Sequence, residues 1–288
     1  MNQVRFIEEA LEQEIAERGF AVRDLLKGPS LEALVESSKA FYGQIQAEPS
    51  LRGRFLSAGR FQDPSSRLES VALIKQWLVP ALESCFTDDS VRVVSGVHQI
   101  KPPGGKSRLN PHQDSSHVDE RFEMAYYAWV PLMDTTAKNG ALQVIPGSHK
   151  LGIPQRSLSV PWPLRHPLHQ VLLRLFSIPL SVRAGQVVFF HSALIHGSGP
   201  NQTEEVRLAV NSLILPGMSV YRHFFRDENT PRDQVEVYGV SPEFFYKEDI
   251  LARPSHRWTR LTNEPWQDQR VTVPRLFSFL LRQYKHYR

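Results

Sequence analysis

A chain of 288 residues that is 41 % hydrophobic can bury a substantial core, and one domain is expected. Its single cysteine, Cys85, excludes an internal disulfide framework and a cysteine-rich zinc site, so any metal must be held by His, Asp or Glu. The net charge of +4 is unevenly placed: from residue 251 onward Arg253, Arg257, Arg260, Arg270, Arg275, Arg282, Lys285 and Arg288 face only Glu264 and Asp268.

The opening stretch MNQVRFIEEALEQEIAERG mixes Glu8, Glu9, Glu12, Glu14 and Glu17 with its apolar residues, so it suits neither a signal peptide nor a spanning helix. A soluble, cytoplasmic protein is expected, consistent with the lone cysteine. Phe6, Ile7, Ala10, Leu11 and Ile15 recur at helical spacing and Gly19 follows as a stop, which predicts a helix over 4–18. A short strand over 20–26 comes next. Ser30 is placed to cap a second helix with Leu31, Leu34, Val35, Phe41 and Ile45 inward, and a third is predicted over 66–86, interrupted near Pro80.

At Val91 the pattern changes. VRVVSGVHQIK, MAYYAWVPL, ALQVI, QVVFF and RLAVNSLIL are short, rich in branched and aromatic residues, and separated by Gly, Pro, Asn and Ser, which predicts a barrel or sandwich. Between Lys150 and Gly185 runs a long proline-bearing connection with a helical candidate over 169–176, the kind of loop that serves as a lid. The final segment VPRLFSFLLRQYKHYR reads as a helix with Leu276, Phe277, Leu280, Leu281 and Tyr284 on one face and Arg275, Arg282 and Lys285 on another. A helix docked on the domain is the favoured reading over one lying on a membrane surface or an acidic partner.

The stretch NPHQDSSH carries the first chemistry. His112 and Asp114 are two apart, so on an extended backbone they leave the same face and can reach one ion, whereas His117 has the opposite parity. Alone, the pair reads more readily as a polar surface turn than as a metal site. A second element, GQVVFFHSALIHGSGPN, offers His196 as a third ligand, with His191 as a nearby rival. Two histidines and a carboxylate leave positions open on an octahedral ion, as in non-haem Fe(II) oxygenases, and a zinc hydrolase could use the same three residues. Arg207, in the apolar strand RLAVNSLIL, is expensive to bury unless an anion accepts its donors, and a bound dicarboxylate would supply one. PGSH suits a type II turn at Pro146 and Gly147, with no need for His149 at a metal. Trp129 serves equally well as core packing or as a wall of the site.

HQD, Trp129 in AWVPL, NGAL followed by PGSH, and HGSG with Arg207 behind it occur in that order. Together they resemble the phytanoyl-CoA dioxygenase-like (PhyH) family of Fe(II)- and 2-oxoglutarate-dependent oxygenases, from about Ser95 to Leu215 and more loosely over the N-terminal helices. The resemblance implies a mainly β chain with flanking helices, built on a double-stranded β-helix (a jelly roll, cupin-like) behind N-terminal helices. It divides the chain into a helical support over 1–90, a core over 91–216 with a lid insertion at about 151–184, and an extension over 217–288. It implies His112, Asp114 and His196 on iron as the metal and catalytic set. Arg207 would take the distal carboxylate of 2-oxoglutarate with help from Ser198, and Trp129 and Gln99 would border the co-substrate, with Lys101 in reserve. With O2, such a site decarboxylates 2-oxoglutarate to succinate and CO2 and hydroxylates an unactivated C–H bond of a small or medium organic molecule. Asp114 stands where related halogenases carry a small residue, which favours hydroxylation, with desaturation or ring chemistry open to the same site. A zinc-dependent hydrolase and a non-catalytic β-helix binding protein stay as alternatives. A small-molecule substrate is expected and nucleic acid is not, because the basic excess sits in one terminal segment without a recognised binding motif. That segment allows a weak membrane-surface or anionic contact.

Overall fold

The computed structural model describes residues 4–45, 53–61, 63–87, 91–266 and 271–287; Arg270 and Arg288 of the basic segment, and Asp268 opposite them, lie outside these. Helix α1 (Glu9–Arg18) begins later than the apolar spacing predicts. Residues 4–8 are not helical, because Phe6 is drawn into an aromatic cluster with Phe86 and Phe189, at 4.7 and 5.2 Å between ring centroids, and bridges to Phe86 through the backbone. Gly19 stops the helix at φ 86°, and a Cβ there would lie 2.6 Å from His149 Nδ1, so the stop also permits close packing. Strand β1 (Phe20–Asp24) follows and ends two residues before the predicted limit, where the N–H groups of Leu25 and Leu26 turn to the Gly185 carbonyl.

Helix α2 (Gly28–Ile45) starts ahead of Ser30, which therefore does not cap it. The predicted third helix is two: α3 (Pro64–Trp77), capped by the Asp63 carboxylate accepting from the Ser65 and Ser66 N–H groups, and α4 (Val79–Glu83). Leu78 separates them, since Pro80 offers no N–H to continue the first helix and its ring would crowd the Gln76 carbonyl.

Six antiparallel strands form the larger sheet in the order β1, β8 (Gln186–His191), β5 (Tyr126–Pro131), β10 (Arg207–Pro216), β3 (Val91–Lys101) and β2 (Leu56–Ser57). The smaller sheet runs β4 (Leu109–His112), β9 (His196–Ser198), β6 (Leu142–Val144) and β7 (Ile178–Pro179). Together they make the double-stranded β-helix, with Trp129, Leu142, Val144, Val188, Phe190 and Ala209 packed between them. The other face of the large sheet is covered by the helices, where Leu34, Phe41, Ile74 and Leu82 meet Ile100, Val130, Phe189 and Val210. Covered on both sides, β10 is buried along its whole length, which is why it reads as a nearly continuous apolar run.

His98 pins this helical layer to β3. Ser38 Oγ donates to the Leu34 carbonyl, so His98 Nε2–H donates to Ser38 at 2.8 Å and Nδ1 accepts from Ser70 Oγ at 2.7 Å. The ring is fully buried, and burial lowers its pKa to about 4. The unfolded chain binds this proton near pH 6.5 and the folded one does not, so the stabilisation is complete above pH 6.5 and is lost as pH falls toward 4. The single ring accounts for on the order of 3 kcal/mol across that window. Urea unfolding at pH 7.5, 6 and 5 should show this slope, and His98→Gln should flatten it by about one proton.

A third sheet, β11 (Tyr221–Phe225), β12 (Gln234–Val240) and β13 (Thr259–Pro265), lies in the segment expected only as an extension. It changes the reading of the basic C-terminal field. Arg253 pairs with Asp227 at 2.8 Å and with buried Glu236 at 2.6 Å, and Arg257 pairs with Glu248 at 3.2 Å, so acids upstream of residue 251 neutralise part of the excess. Besides the four-residue α6 (Phe244–Lys247), two helices complete the chain: α5 (Pro167–Phe176) in the lid connection and α7 (Val273–Tyr287). Leu276 and Leu280 of α7 pack with Leu173 of α5 and with Ile145 and Ile195. Phe277, expected on the inward face, is 43 % exposed; the docked face runs through Leu276, Phe279, Leu280 and Gln283, with Phe277 and Tyr284 each edge-on to Phe176.

Candidate metal and co-substrate site

Strands β4 and β9 are antiparallel, and their register sets His112 directly opposite His196. Asp114 follows at the end of β4, with its Oδ1 3.6 Å from His112 Nε2 and its Oδ2 3.5 Å from His196 Nε2. Among the described residues these form the one group of three metal-ligating side chains, their ligand atoms within 4.8 Å of one another. His191 stays out of it: it is buried, its Nδ1 accepts from the Ala193 N–H, and its Nε2 lies 3.0 Å from the Met124 sulfur.

The ring orientations are set from behind. His112 Nδ1 lies 2.9 Å from the Asn110 carbonyl and His196 Nδ1 3.0 Å from that of Leu194. A carbonyl only accepts, so both Nδ1 atoms carry the proton and both Nε2 lone pairs face Asp114. Burial lowers the His196 pKa to about 4, which keeps the ring neutral near pH 7. Burial alone would raise Asp114, but the positive charge that His196 and His112 take up in acid outweighs it and lowers the pKa to about 2, so the carboxylate is ionised near pH 7. Asp114 Oδ2 is buried with no hydrogen-bond partner. Lone pairs converging in this way are costly unless a cation receives them. Two imidazoles and one carboxylate with open sides suit a divalent ion of the Fe(II) type.

A narrow cleft runs from His196 to Arg207, with Gln99, Trp129, Ser198 and Asn211 on its walls. Arg207 is 1 % exposed, and no described carboxylate pairs with it. Its Nη1 donates to the Gln99 carbonyl at 3.2 Å, its Nε has no partner, and its guanidinium lies 5.7 Å from the centre of the Trp129 ring. Burial lowers its pKa to about 9, leaving it charged at neutral pH. A buried cation with free donors is an anion receptor. The cleft is narrow, about 10 Å³, room for roughly one water, and on its wall the Trp129 Nε1–H donates to Gln99 Oε1 at 3.2 Å.

Lys101 is turned away from the cleft. It is fully buried, and its Nζ donates to the carbonyls of Ser107 and Gly199, while burial, with Arg207 and Arg108, lowers its pKa to about 6. Sequence reasoning does not single out Asn211, although a polar residue four places after Arg207 in an apolar strand is a signal; its Oδ1 is buried without a partner.

Beside the metal group opens a cavity of about 890 Å³. His112 and Asp114 line it, together with His117, Tyr127, Asn211 and the lid residues 153–163. His117 Nε2 lies 2.8 Å from the Tyr127 hydroxyl. The 151–184 connection is tied to the loop carrying Asp114: Trp162 Nε1–H donates to Gln113 Oε1 at 3.0 Å and Gln170 Nε2–H to the Pro111 carbonyl at 3.2 Å.

A double-stranded β-helix bearing this triad beside a buried arginine defines a class, the non-haem iron and 2-oxoglutarate-dependent enzymes. Residues 30–209 match the family Phytanoyl-CoA dioxygenase (PhyH), and the chain belongs to that family. It is 28 % identical over 178 residues to the peroxisomal phytanoyl-CoA dioxygenase of Homo sapiens, covering 58 % of this chain and 52 % of that protein. It is 35 % identical over 173 residues to the probable phytanoyl-CoA dioxygenase of Caenorhabditis elegans, covering 57 % and 51 %. The match thus spans about half the length of these curated relatives. Among solved structures, the fold is similar to that of the non-heme alpha ketoglutarate dependent carbocyclase SnoK from nogalamycin biosynthesis (TM-score 0.54, 16 % identity, 75 % of this chain and 86 % of that one). It is also similar to HygX from Streptomyces hygroscopicus with nickel and 2-oxoglutarate bound (TM-score 0.51, 18 % identity, 74 % and 88 %).

Proposed function

We propose that this chain is an Fe(II)- and 2-oxoglutarate-dependent dioxygenase that hydroxylates an unactivated C–H bond of a small or medium organic molecule, releasing succinate and CO2. One observation carries the reading: a two-histidine, one-carboxylate group has its His196 on the same cleft as a buried arginine that no described carboxylate neutralises. A zinc hydrolase would use the three ligands and leave Arg207 without a purpose.

In this reading His112, Asp114 and His196 hold the metal, which supplies O2 activation coupled to 2-oxoglutarate decarboxylation when bound. Arg207 takes the distal carboxylate of 2-oxoglutarate, Ser198 adds a hydrogen bond, and Gln99 and Trp129 wall the co-substrate. The two Nδ1–H groups, held on backbone carbonyls, fix the orientation of the rings and turn each Nε2 toward the metal position. The prime substrate occupies the 890 Å³ cavity under the lid, a volume in the range of small-molecule sites. Asp114 supplies a carboxylate where related halogenases carry a small residue, which favours hydroxylation over halogenation and leaves desaturation and ring closure open to the same site.

The test is anaerobic addition of Fe(II) and then 2-oxoglutarate to metal-free protein, followed by succinate measurement on admitting air. A visible charge-transfer band and succinate formation are expected. Zn(II)-dependent ester or amide hydrolysis with no band in the iron-loaded protein would transfer the assignment to a hydrolase.

A further inference from the structure

Two buried arginines flank this site in opposite states. Arg207 leaves most of its donors free, whereas Arg156, at the root of the lid and 5 % exposed, uses all five. Its Nε–H donates to the Asp114 carbonyl at 2.8 Å, Nη1 to Glu120 Oε2 at 2.7 Å and to the Ile153 carbonyl at 2.5 Å, and Nη2 to Glu120 Oε1 at 2.6 Å and Ser192 Oγ at 3.3 Å. Ser192 Oγ in turn donates to Glu120 Oε1 at 2.9 Å. Backbone bonds close the frame: the Asp114 N–H reaches the Ser192 carbonyl at 3.2 Å, and the Ser116 N–H reaches that of Arg156 at 2.8 Å.

Three segments meet here: the loop carrying Asp114, the start of the lid, and the turn between β8 and the strand that carries His196. We propose that Arg156, Glu120 and Ser192 form a clamp that positions Asp114 relative to the two histidines and ties the lid to the metal-binding loop. This inference rests on the assignment of His112, Asp114 and His196 as metal ligands. Arg156 belongs to the wall of the cavity beside the metal group, but its donors are all engaged within the protein, and it and Glu120 act as positioning residues through the Asp114 main chain rather than on the metal or the co-substrate. A buried ion pair is a poor device for stability, because apolar groups of the same volume often stabilise as well or better. What such groups cannot supply is a planar fork that fixes a carbonyl and a carboxylate at once.

Co(II) titration followed by visible d–d absorption, with the metal-free melting temperature measured beside it, separates positioning from stability. The variants are Arg156→Lys, Ser192→Ala and the apolar pair Arg156→Met with Glu120→Leu; His196→Ala serves as the control. The apolar pair sheds the desolvation cost of the ion pair but leaves the Asp114 and Ile153 carbonyls without a donor, so it should stay folded with a melting temperature near that of wild type yet bind Co(II) about 10- to 100-fold more weakly, with a changed band shape, as when groups behind metal ligands are removed. Arg156→Lys and Ser192→Ala should fall between it and wild type. A folded apolar pair with the wild-type affinity and spectrum would overturn the clamp. If that pair does not fold, wild-type spectra in both single variants overturn it equally. Wild-type protein that binds Co(II) no better than His196→Ala overturns the ligand assignment itself, a separate failure.

Discussion

Arg207→Met should weaken 2-oxoglutarate binding to the Fe(II)-loaded protein by about 100-fold, while the metal-free protein melts no lower than wild type. The two effects have one cause. Among the described residues the buried guanidinium makes a single hydrogen bond, to the Gln99 carbonyl, and its Nε has no partner, so its desolvation is largely uncompensated within the protein and a bound carboxylate would compensate it. A charge-assisted, two-pronged contact with that carboxylate is worth about 3 kcal/mol, which sets the expected loss. Titration of the charge-transfer band against 2-oxoglutarate, alongside thermal melts without metal, reads both. A strong loss of metal-free stability with unchanged co-substrate affinity would make Arg207 a structural residue and remove it from the site.

His196→Gln should abolish the charge-transfer band and weaken Co(II) binding by more than the roughly 10- to 100-fold that groups behind the ligands cost. Gln preserves much of the volume packed against Phe190, whose ring lies 4.8 Å from that of His196, so the fold should survive and the effect report on coordination. His191→Gln is the matched control. His191 is also buried and lies five residues earlier in the chain, but its Nδ1 is occupied by the Ala193 N–H, and its loss should leave the Co(II) spectrum unchanged. Equal spectra for wild type and His196→Gln would exclude His196 as a ligand.

Much of the site is legible in the amino-acid sequence alone. His112 and Asp114 announce themselves by parity, His196 by its distance in sequence and its HGSG setting, and Arg207 by the cost of a guanidinium in an apolar strand. These signals are local: two residues on one face of a strand, or one charge among aliphatic neighbours. Asn211 is legible in the same way, as an amide in RLAVNSLIL. Arg156, Glu120 and Ser192 are not, because three ordinary polar residues from three segments acquire meaning only when packing removes water from all of them together.

The elements follow the same division. The helix stop at Gly19, the break ahead of Pro80 and the apolar run of β10 were determined by the sequence itself, through backbone freedom, a missing N–H and burial on both faces. Tertiary structure decided where α1 begins, because the Phe6 ring gains more in the Phe86 and Phe189 cluster than in a further helical turn. It decided that Arg253 is paired rather than part of a free basic field, since Asp227, in the turn after β11, and Glu236, in β12, come from upstream. It also decided the meeting of His112 and His196: composition and spacing supply the ligands, but only the antiparallel register of β4 and β9 brings them face to face, because strand pairing is chosen by the core as a whole and not by the residues that use it.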